Sequence, residues 1–466
     1  PLGPPPVAAR PALVAEHLQV STDRGLGHLQ DVAKLSDAQF VALQQAQQPQ
    51  PGGVREGVHL GEQCIRLGGF SNHQSIRMKG YTSPPALSIR GESRAGRRHA
   101  GHPGVRCLYS AAMTTHRTID PYTFFEQRAK AHKPSHAFTG KTKAQFTAWR
   151  KKTLSAVLAT LGERPKAVAP NAELLVEWRE EGLIKQRWVI DTQPGLSATL
   201  LLFRPDDLAK GERRPAILCC HGHGAGGKAP VMGLTADATH AQSVSQHNYD
   251  YGRQMALAGY VTYAIDWLGF GERDSRGKPH DQAKYGGRDA CNVNYLCATM
   301  LGTTMLALNC HDASRATDFV CDQAFVDPDR LGVMGLSLGG TMTTWMALTD
   351  ERFKAIDNIC YAGPWYDIAY RTYNVCGSQV TPGIHALVDV HDLHGLLAPR
   401  PLLIEAGVQD SCFHIDHSLR HYDAVRNIYK AAGAADRLDL DQFPGEHAWG
   451  GNKSRAFFAE HLNADW

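Results

Sequence analysis

The stretch Arg330-Leu-Gly-Val-Met-Gly-Leu-Ser-Leu-Gly-Gly-Thr-Met-Thr-Thr constrains this chain more than any other. The apolar run Leu331 to Met334 reads as a buried strand, and Gly340 to Leu348 reads as a helix. Between them, Gly335-Leu336-Ser337-Leu338-Gly339 must pass from extended to helical backbone within a few residues. A serine at the apex of so tight a turn needs neighbours without side chains two positions away on either side, or strand and helix collide. Gly335 and Gly339 meet that need. The helix start also offers a backbone N–H, that of Leu338, to negative charge developing nearby. The G-x-S-x-G spacing alone arises often by chance, so other parts of the chain must support the reading independently.

A strand–turn–helix with serine at its apex is the nucleophile elbow. Such a serine needs a base, and the base needs an orienting acid, in the chain order Ser, acid, His. After the strand-like Pro401-Leu-Leu-Ile-Glu-Ala-Gly407 comes Val-Gln-Asp410, with Asp416 as the alternative acid. After the last strand-like run comes Phe443-Pro-Gly-Glu-His447, where Gly445 suits a loop that aims a side chain inward. Order, strand-end position and separation agree with Ser337, Asp410 and His447 acting together.

The pattern from Glu173 onward alternates strands and helices. Leu174–Arg179, Lys185–Asp191 and Ser197–Arg204 read as three early, antiparallel strands. Arg214–Cys220, Tyr260–Ile265, the run before Ser337, Phe353–Tyr361, Pro401–Glu405 and Leu438–Phe443 read as the rest of the sheet. Helices are expected over Asn248–Leu257, over one long region Asn294–Val320, over Gly340–Leu348 and over Ser454–Leu462. Such alternation implies a mostly parallel central sheet flanked by helices, with ligands gathering at the carboxyl ends of its strands.

Residues 113–172 read as a helical segment packing on that core, with an apolar stripe from Lys143 to Leu161. Residues 1–112 differ: rich in Gln, Gly, Pro and Arg, they read as upstream-derived sequence or a poorly structured extension. The formal charge of +3 gives no basis for a nucleic-acid partner. Eleven cysteines without a C-x-x-C or regular framework point to reduced thiols in a cytoplasmic protein. No apolar run reaches about 18 residues and no secretory leader pattern is visible, so no membrane span is expected.

These motifs resemble the α/β-hydrolase superfamily over Glu173 to Leu462, and within it the dienelactone-hydrolase and acetyl-xylan-esterase-like branch of bacterial serine esterases. The resemblance rests on His221-Gly-His-Gly, Asp266-Trp-Leu-Gly-Phe-Gly-Glu, Gly335-Leu-Ser-Leu-Gly-Gly, Leu397-Ala-Pro-Arg-Pro-Leu-Leu-Ile and Gly445-Glu-His447. It implies an α/β-hydrolase catalytic domain over 173–466 with loop insertions over the site, and a serine carboxylesterase forming an acyl-enzyme on small, short-chain esters. Deacetylation of carbohydrates is the alternative; a peptidase or a non-catalytic binding module are weaker ones. Dienelactone hydrolases proper carry a cysteine nucleophile, so Ser337 points to carboxylic esters. The resemblance makes Ser337 the nucleophile, His447 the base, Asp410 its orienting acid, and the N–H groups of Leu338 and His223 the oxyanion hole.

Neither a metal nor an organic cofactor is implied. Cys219, Cys220, His221 and His223 fit no common zinc spacing, and adjacent strand residues face opposite ways, so both cysteines read as core. Asp266 reads as a structural residue tying loops below the site, and Cys412 as a bystander. The insertion Gly363–Asp392 carries Trp365, Tyr366, Tyr370 and Tyr373, and Trp365 with Tyr366 is expected to wall the substrate pocket. Association into a homo-oligomer stays open.

Overall fold

The computed structural model describes residues 117–224, 226–274 and 290–464. The expectation for 1–112 lies outside them. All described residues belong to the compact unit Cys107–Trp466.

Its centre is a nine-stranded sheet in the order β1-β2-β3-β5-β4-β6-β7-β8-β9. β1 (Glu173–Glu180), β2 (Leu183–Gln193) and β3 (Leu196–Pro205) form an antiparallel meander, and β3 pairs antiparallel with β5 (Val261–Ile265). The remaining strands, β4 (Arg214–Cys220), β6 (Val326–Leu336), β7 (Phe353–Ile359), β8 (Leu402–Gly407) and β9 (Leu438–Phe443), pair parallel with their neighbours, as does β5 with β4. The antiparallel start and parallel remainder agree with the sequence pattern.

The central parallel strands β4 and β5 are buried on both faces because helices cover both. Along β4, Ala216, Leu218 and Cys220 enter one apolar core while Ile217 and Cys219 enter the other, the period-two alternation of a strand. Cys219 and Cys220 are both fully buried, so they serve packing.

Strand order positions the site. From β4 the chain first builds β5 on one side and then crosses to build β6 on the other. The connections leaving β4 and β6 diverge there, which opens a crevice at their carboxyl ends.

Three elements differ from expectation. The long helical region is two helices, Ala290–Met300 and Met305–Cys321. Gly302 adopts φ +77° between them, and the Thr304 hydroxyl caps the second helix by accepting from the Ala307 N–H at 3.1 Å. β6 begins at Val326 and carries Asp327-Pro328-Asp329 as an irregularity, because Val326 already pairs with Arg214 before the register shifts to Leu331 opposite Ala216. The helix Ile415–Ala432 was not read from the sequence. Among the described residues no helix is long and apolar enough to cross a membrane.

Candidate active site

The turn after β6 has the geometry its spacing requires. Ser337 sits at φ 64°, ψ −118°, strained backbone for a residue with a Cβ. Its N–H donates to Ile359 O at 3.0 Å and its carbonyl accepts from Thr341 N at 3.1 Å, so neighbouring strand and following helix hold the strain. The glycines serve a slightly different purpose from the one expected. A Cβ on Gly335 would come within 2.6 Å of both Gly339 O and Cys220 O, and one on Gly339 would run into the Cys220 backbone. Crowding by the end of β4, as well as by the turn itself, keeps both positions free of side chains. Leu338 opens the helix Leu338–Thr349, and its N–H is among the first-turn donors that intrahelical bonding leaves over.

His447 and Asp410 lie on loops that run side by side after β9 and β8. Gln409 N donates to Gly445 O at 2.9 Å and Val408 N to Phe443 O at 3.0 Å, which locks the loops together. His447 Nδ1 meets Asp410 Oδ2 at 2.8 Å. The other carboxylate oxygen accepts from Cys412 N at 2.7 Å and Phe413 N at 2.8 Å. Burial alone would raise the Asp410 carboxyl, but the hydrogen bond and charge of His447, with the two N–H donors, outweigh it and hold it below its ordinary value. The Phe413 ring stacks parallel to His447, centroids 5.8 Å apart. His247 Nδ1–H donates to His447 O at 2.7 Å from the far side. Asp416 is exposed in the first turn of Ile415–Ala432, so the pairing goes to Asp410.

Ser337 and His447 line one cleft of about 480 Å³, with Gly222, His223, Ser243, His247, Asn292 and Tyr373 among its walls. Tyr249 is a residue the sequence reading missed. Its hydroxyl accepts from Gly222 N at 2.5 Å, while the Tyr251 hydroxyl donates to Cys220 O at 2.5 Å. The Gly222 N–H is thereby taken. Neither tyrosine carries a local signature; their role depends on two rings, one just before and one at the start of the helix Tyr251–Leu257, reaching the end of β4.

The expected pocket residues require a correction. Trp365 is buried and lines a separate cleft with Phe125, Tyr295 and His385, while Tyr366 reaches out to Glu126, its hydroxyl donating to Oε1 at 3.2 Å. Trp365 N–H donates to Asp389 Oδ1 at 2.8 Å, which turns the segment so that its indole joins the core. The same insertion does wall the Ser337 cleft, but through Tyr373, Asn374, Val375 and Cys376. Cys412 also lines it.

Asp266, after β5, is buried and accepts from Lys228 N at 2.8 Å, Lys228 Nζ at 2.6 Å and Glu272 N at 3.0 Å. It ties the loops after β4 and β5 together and is absent from the cleft lining, as the structural reading had it.

The chain's relatives agree with this architecture. The sequence model of the Abhydrolase family matches residues 106–449. A curated relative from Bacillus subtilis (strain 168), named "Putative hydrolase YtaP", is 26% identical over 280 residues, 59% of this chain and 86% of its own length. Among solved structures, one described as a "putative acetyl xylan esterase" from Bacteroides fragilis NCTC 9343 superposes with a TM-score of 0.57 at 19% identity, over 70% of this chain and 83% of that one. A glucuronoyl esterase from Solibacter usitatus superposes with a TM-score of 0.52 at 18% identity, over 70% and 95% of the two chains. With its mostly parallel sheet, its serine turn after β6 and a family match spanning most of its length, this chain belongs to the Abhydrolase family, with an α/β-hydrolase fold.

Proposed function

We propose that the protein hydrolyses carboxylic esters through an acyl-enzyme on Ser337. The observation that carries this reading is the 2.8 Å contact between His447 Nδ1 and the buried Asp410 carboxylate beside a cleft that also holds Ser337 in a strained turn. With Nδ1–H committed to Asp410, the imidazole presents Nε2 as a proton acceptor. Ser337 Oγ attacks the ester carbonyl carbon as His447 Nε2 takes the hydroxyl proton. The carbonyl oxygen becomes an oxyanion and collects the N–H groups of Leu338 and His223. Collapse expels the alcohol, which leaves with the proton from His447. Water then repeats the sequence on the acyl-serine, releasing the acid and restoring Ser337. Asp410 stabilises the imidazolium formed in each half.

The size and lining of the cleft support short acyl groups on polar alcohols. At about 480 Å³ it is modest, and Ser243, His247, Asn292 and Asn374 line it with hydrogen-bonding groups. That polar lining also favours the second reading, deacetylation of carbohydrates, and the acetyl-xylan-esterase name of a structural relative is in keeping with it. Hydrolysis of p-nitrophenyl acetate, butyrate and octanoate by the wild type and by Ser337→Ala tests the first reading. The expected result is a preference for acetate and loss of turnover to background in the variant; equal rates would refute it. Faster release of acetate from acetylated xylooligosaccharides than from simple alkyl acetates would select the carbohydrate reading.

A further inference from the structure

Three side chains far apart in sequence meet where His223 and Cys376 line the cleft, the third being the buried Cys291. His223 follows β4, Cys291 lies in the first turn of Ala290–Met300, and Cys376 precedes the single turn Gly377–Gln379. His223 Nε2 is 3.1 Å from Cys376 Sγ, and these two atoms and Cys291 Sγ all lie within 4.8 Å of one another. We propose that His223, Cys291 and Cys376 form a binding site for a thiophilic transition-metal cation such as Zn²⁺, and that its occupation slows ester hydrolysis in the adjoining cleft.

The donor set favours that class of ion. Two sulfurs and an imidazole nitrogen suit zinc or cuprous copper and are poor ligands for magnesium or calcium. Tetrahedral zinc, with Zn–S of about 2.3 Å and Zn–N of about 2.0–2.1 Å, sets sulfur and nitrogen roughly 3.5 Å apart and two sulfurs roughly 3.8 Å apart. The separations here come close enough that side-chain rotation suffices. The scaffold is already fixed. Gly377 N donates to Asn292 Oδ1 at 2.8 Å, tying the two cysteine-bearing elements together. Cys376 N donates to Gln379 Oε1 at 3.1 Å, and Gln379 Nε2 donates to Thr341 Oγ1 at 2.9 Å on the helix that starts at Leu338. Three protein ligands leave one position for water, reached from the cleft that His223 and Cys376 line.

Binding forms two metal–sulfur bonds and one metal–nitrogen bond. The two thiol protons go to solvent, the ion sheds water, and no electrons change hands. A cation held there narrows the cleft beside the His223 amide, so apparent KM rises. The group Cys360, Asp410 and His447 is also compact enough to ligate, and the test must separate the two.

Co²⁺ serves as the spectroscopic probe and Zn²⁺ as the inhibitor, each added to the full, reduced chain. One equivalent of Co²⁺ is expected to produce a near-ultraviolet thiolate-to-cobalt band in the wild type. Cys291→Ala and, independently, the half-buried Cys376→Ser should each weaken Co²⁺ binding by more than about 10-fold, a loss at least as large as that for an outer-shell partner. Zn²⁺ should raise KM for p-nitrophenyl acetate in the wild type and not in Cys291→Ala. The absence of a thiolate band, a band kept at full strength in both variants, or equal Zn²⁺ inhibition of wild type and Cys291→Ala would overturn the proposal. The cobalt measurement stands whether or not the protein is an esterase.

Discussion

Two histidine–aspartate pairs sit at the carboxyl ends of adjacent parallel strands, and they do opposite things. His447 and Asp410 follow β9 and β8; His221 and Asp266 follow β4 and β5. In the first pair, Nδ1 bonds the carboxylate at 2.8 Å and the ring borders the cleft. In the second, the nearest nitrogen–oxygen distance is 4.0 Å and both ring nitrogens are spent on backbone. His221 Nδ1–H donates to Gly222 O at 2.8 Å, and Nε2 accepts from Trp267 N at 3.0 Å. Since Nε2 is receiving a proton donor, His221 must be neutral, and burial pushes its pKa down to about 4. On the proposed mechanism, identical residue types give a proton carrier in one place and a fixed strut in the other. What separates them is which ring nitrogen is left over and what it faces.

Breaking each pair in turn should give inverted results. The largest effect belongs to the cleft. Asp410→Asn should lower kcat by on the order of 10²–10⁴-fold, because His447 loses both its tautomer lock and its counter-charge. Asp266→Asn should leave kcat per folded molecule within about 10-fold of wild type, as read by steady-state rates normalised to active-site titration. A large loss in kcat for Asp266→Asn would erase the distinction.

Stability should run the other way. Asp266 is the buried partner of Lys228, whose Nζ also reaches Thr199 Oγ1 at 2.9 Å and Glu272 Oε2 at 2.5 Å. Asp266→Asn leaves that buried ammonium short of its main counter-charge and is expected to cost about 3 kcal/mol in urea unfolding. Asp410→Asn should cost less than half as much, since its amide oxygen can still accept from the Cys412 and Phe413 N–H groups.

Acid sharpens the contrast. His221 takes up no proton in the folded protein until about pH 4, whereas the unfolded chain is protonated near its ordinary 6.5. Its contribution to stability is complete above pH 6.5 and is lost as pH falls towards 4, by up to roughly 3 kcal/mol. Buried His394, pushed down to about 3, acts in the same direction. Buried Glu405, pushed up to about 7 by burial, opposes them over the same range. The urea midpoint of the wild type should therefore lose more than that of His221→Gln between pH 6.5 and 4, and parallel profiles would mean that the His221 ring is already protonated when folded.

The smallest effects concern the cleft wall. Tyr373→Ala should shift the acyl-chain preference by less than about 10-fold. Trp365→Ala should leave that preference unchanged while destabilising the fold by about 3–5 kcal/mol through the cavity it leaves. A changed ester profile in Trp365→Ala would restore that residue to the pocket.

The sheet was readable because its strands are apolar or alternating runs punctuated by turn residues: the apolar Arg214–Cys220 and the alternating Leu438–Phe443 were delimited to the residue. The serine turn was readable because steric crowding leaves only glycine at positions 335 and 339. Local pattern also revealed the strand-end positions of Asp410 and His447, but only the fold brought them to 2.8 Å. What escaped depends on distant contacts. Tyr249 on Gly222, Lys228 buried on Asp266, and His223 beside Cys376 are pairings across 27, 38 and 153 residues. Trp365 and Tyr366 of the 363–392 insertion were misplaced for the same reason, although Tyr373 of that insertion does wall the cleft: an aromatic side chain suits a core as well as a pocket, and the Asp389 hydrogen bond that turns Trp365 inward leaves no trace in composition.

The central claim is that Ser337, driven by the His447–Asp410 pair, is the nucleophile. Labelling with a small fluorophosphonate, followed by peptide mass spectrometry, tests it directly. One adduct per chain is expected on Ser337, formed at an unchanged rate in Asp266→Asn, strongly slowed in Asp410→Asn, and absent from Ser337→Ala. An adduct on another residue such as Cys412, or labelling of Ser337 at the same rate in Asp410→Asn, would contradict it.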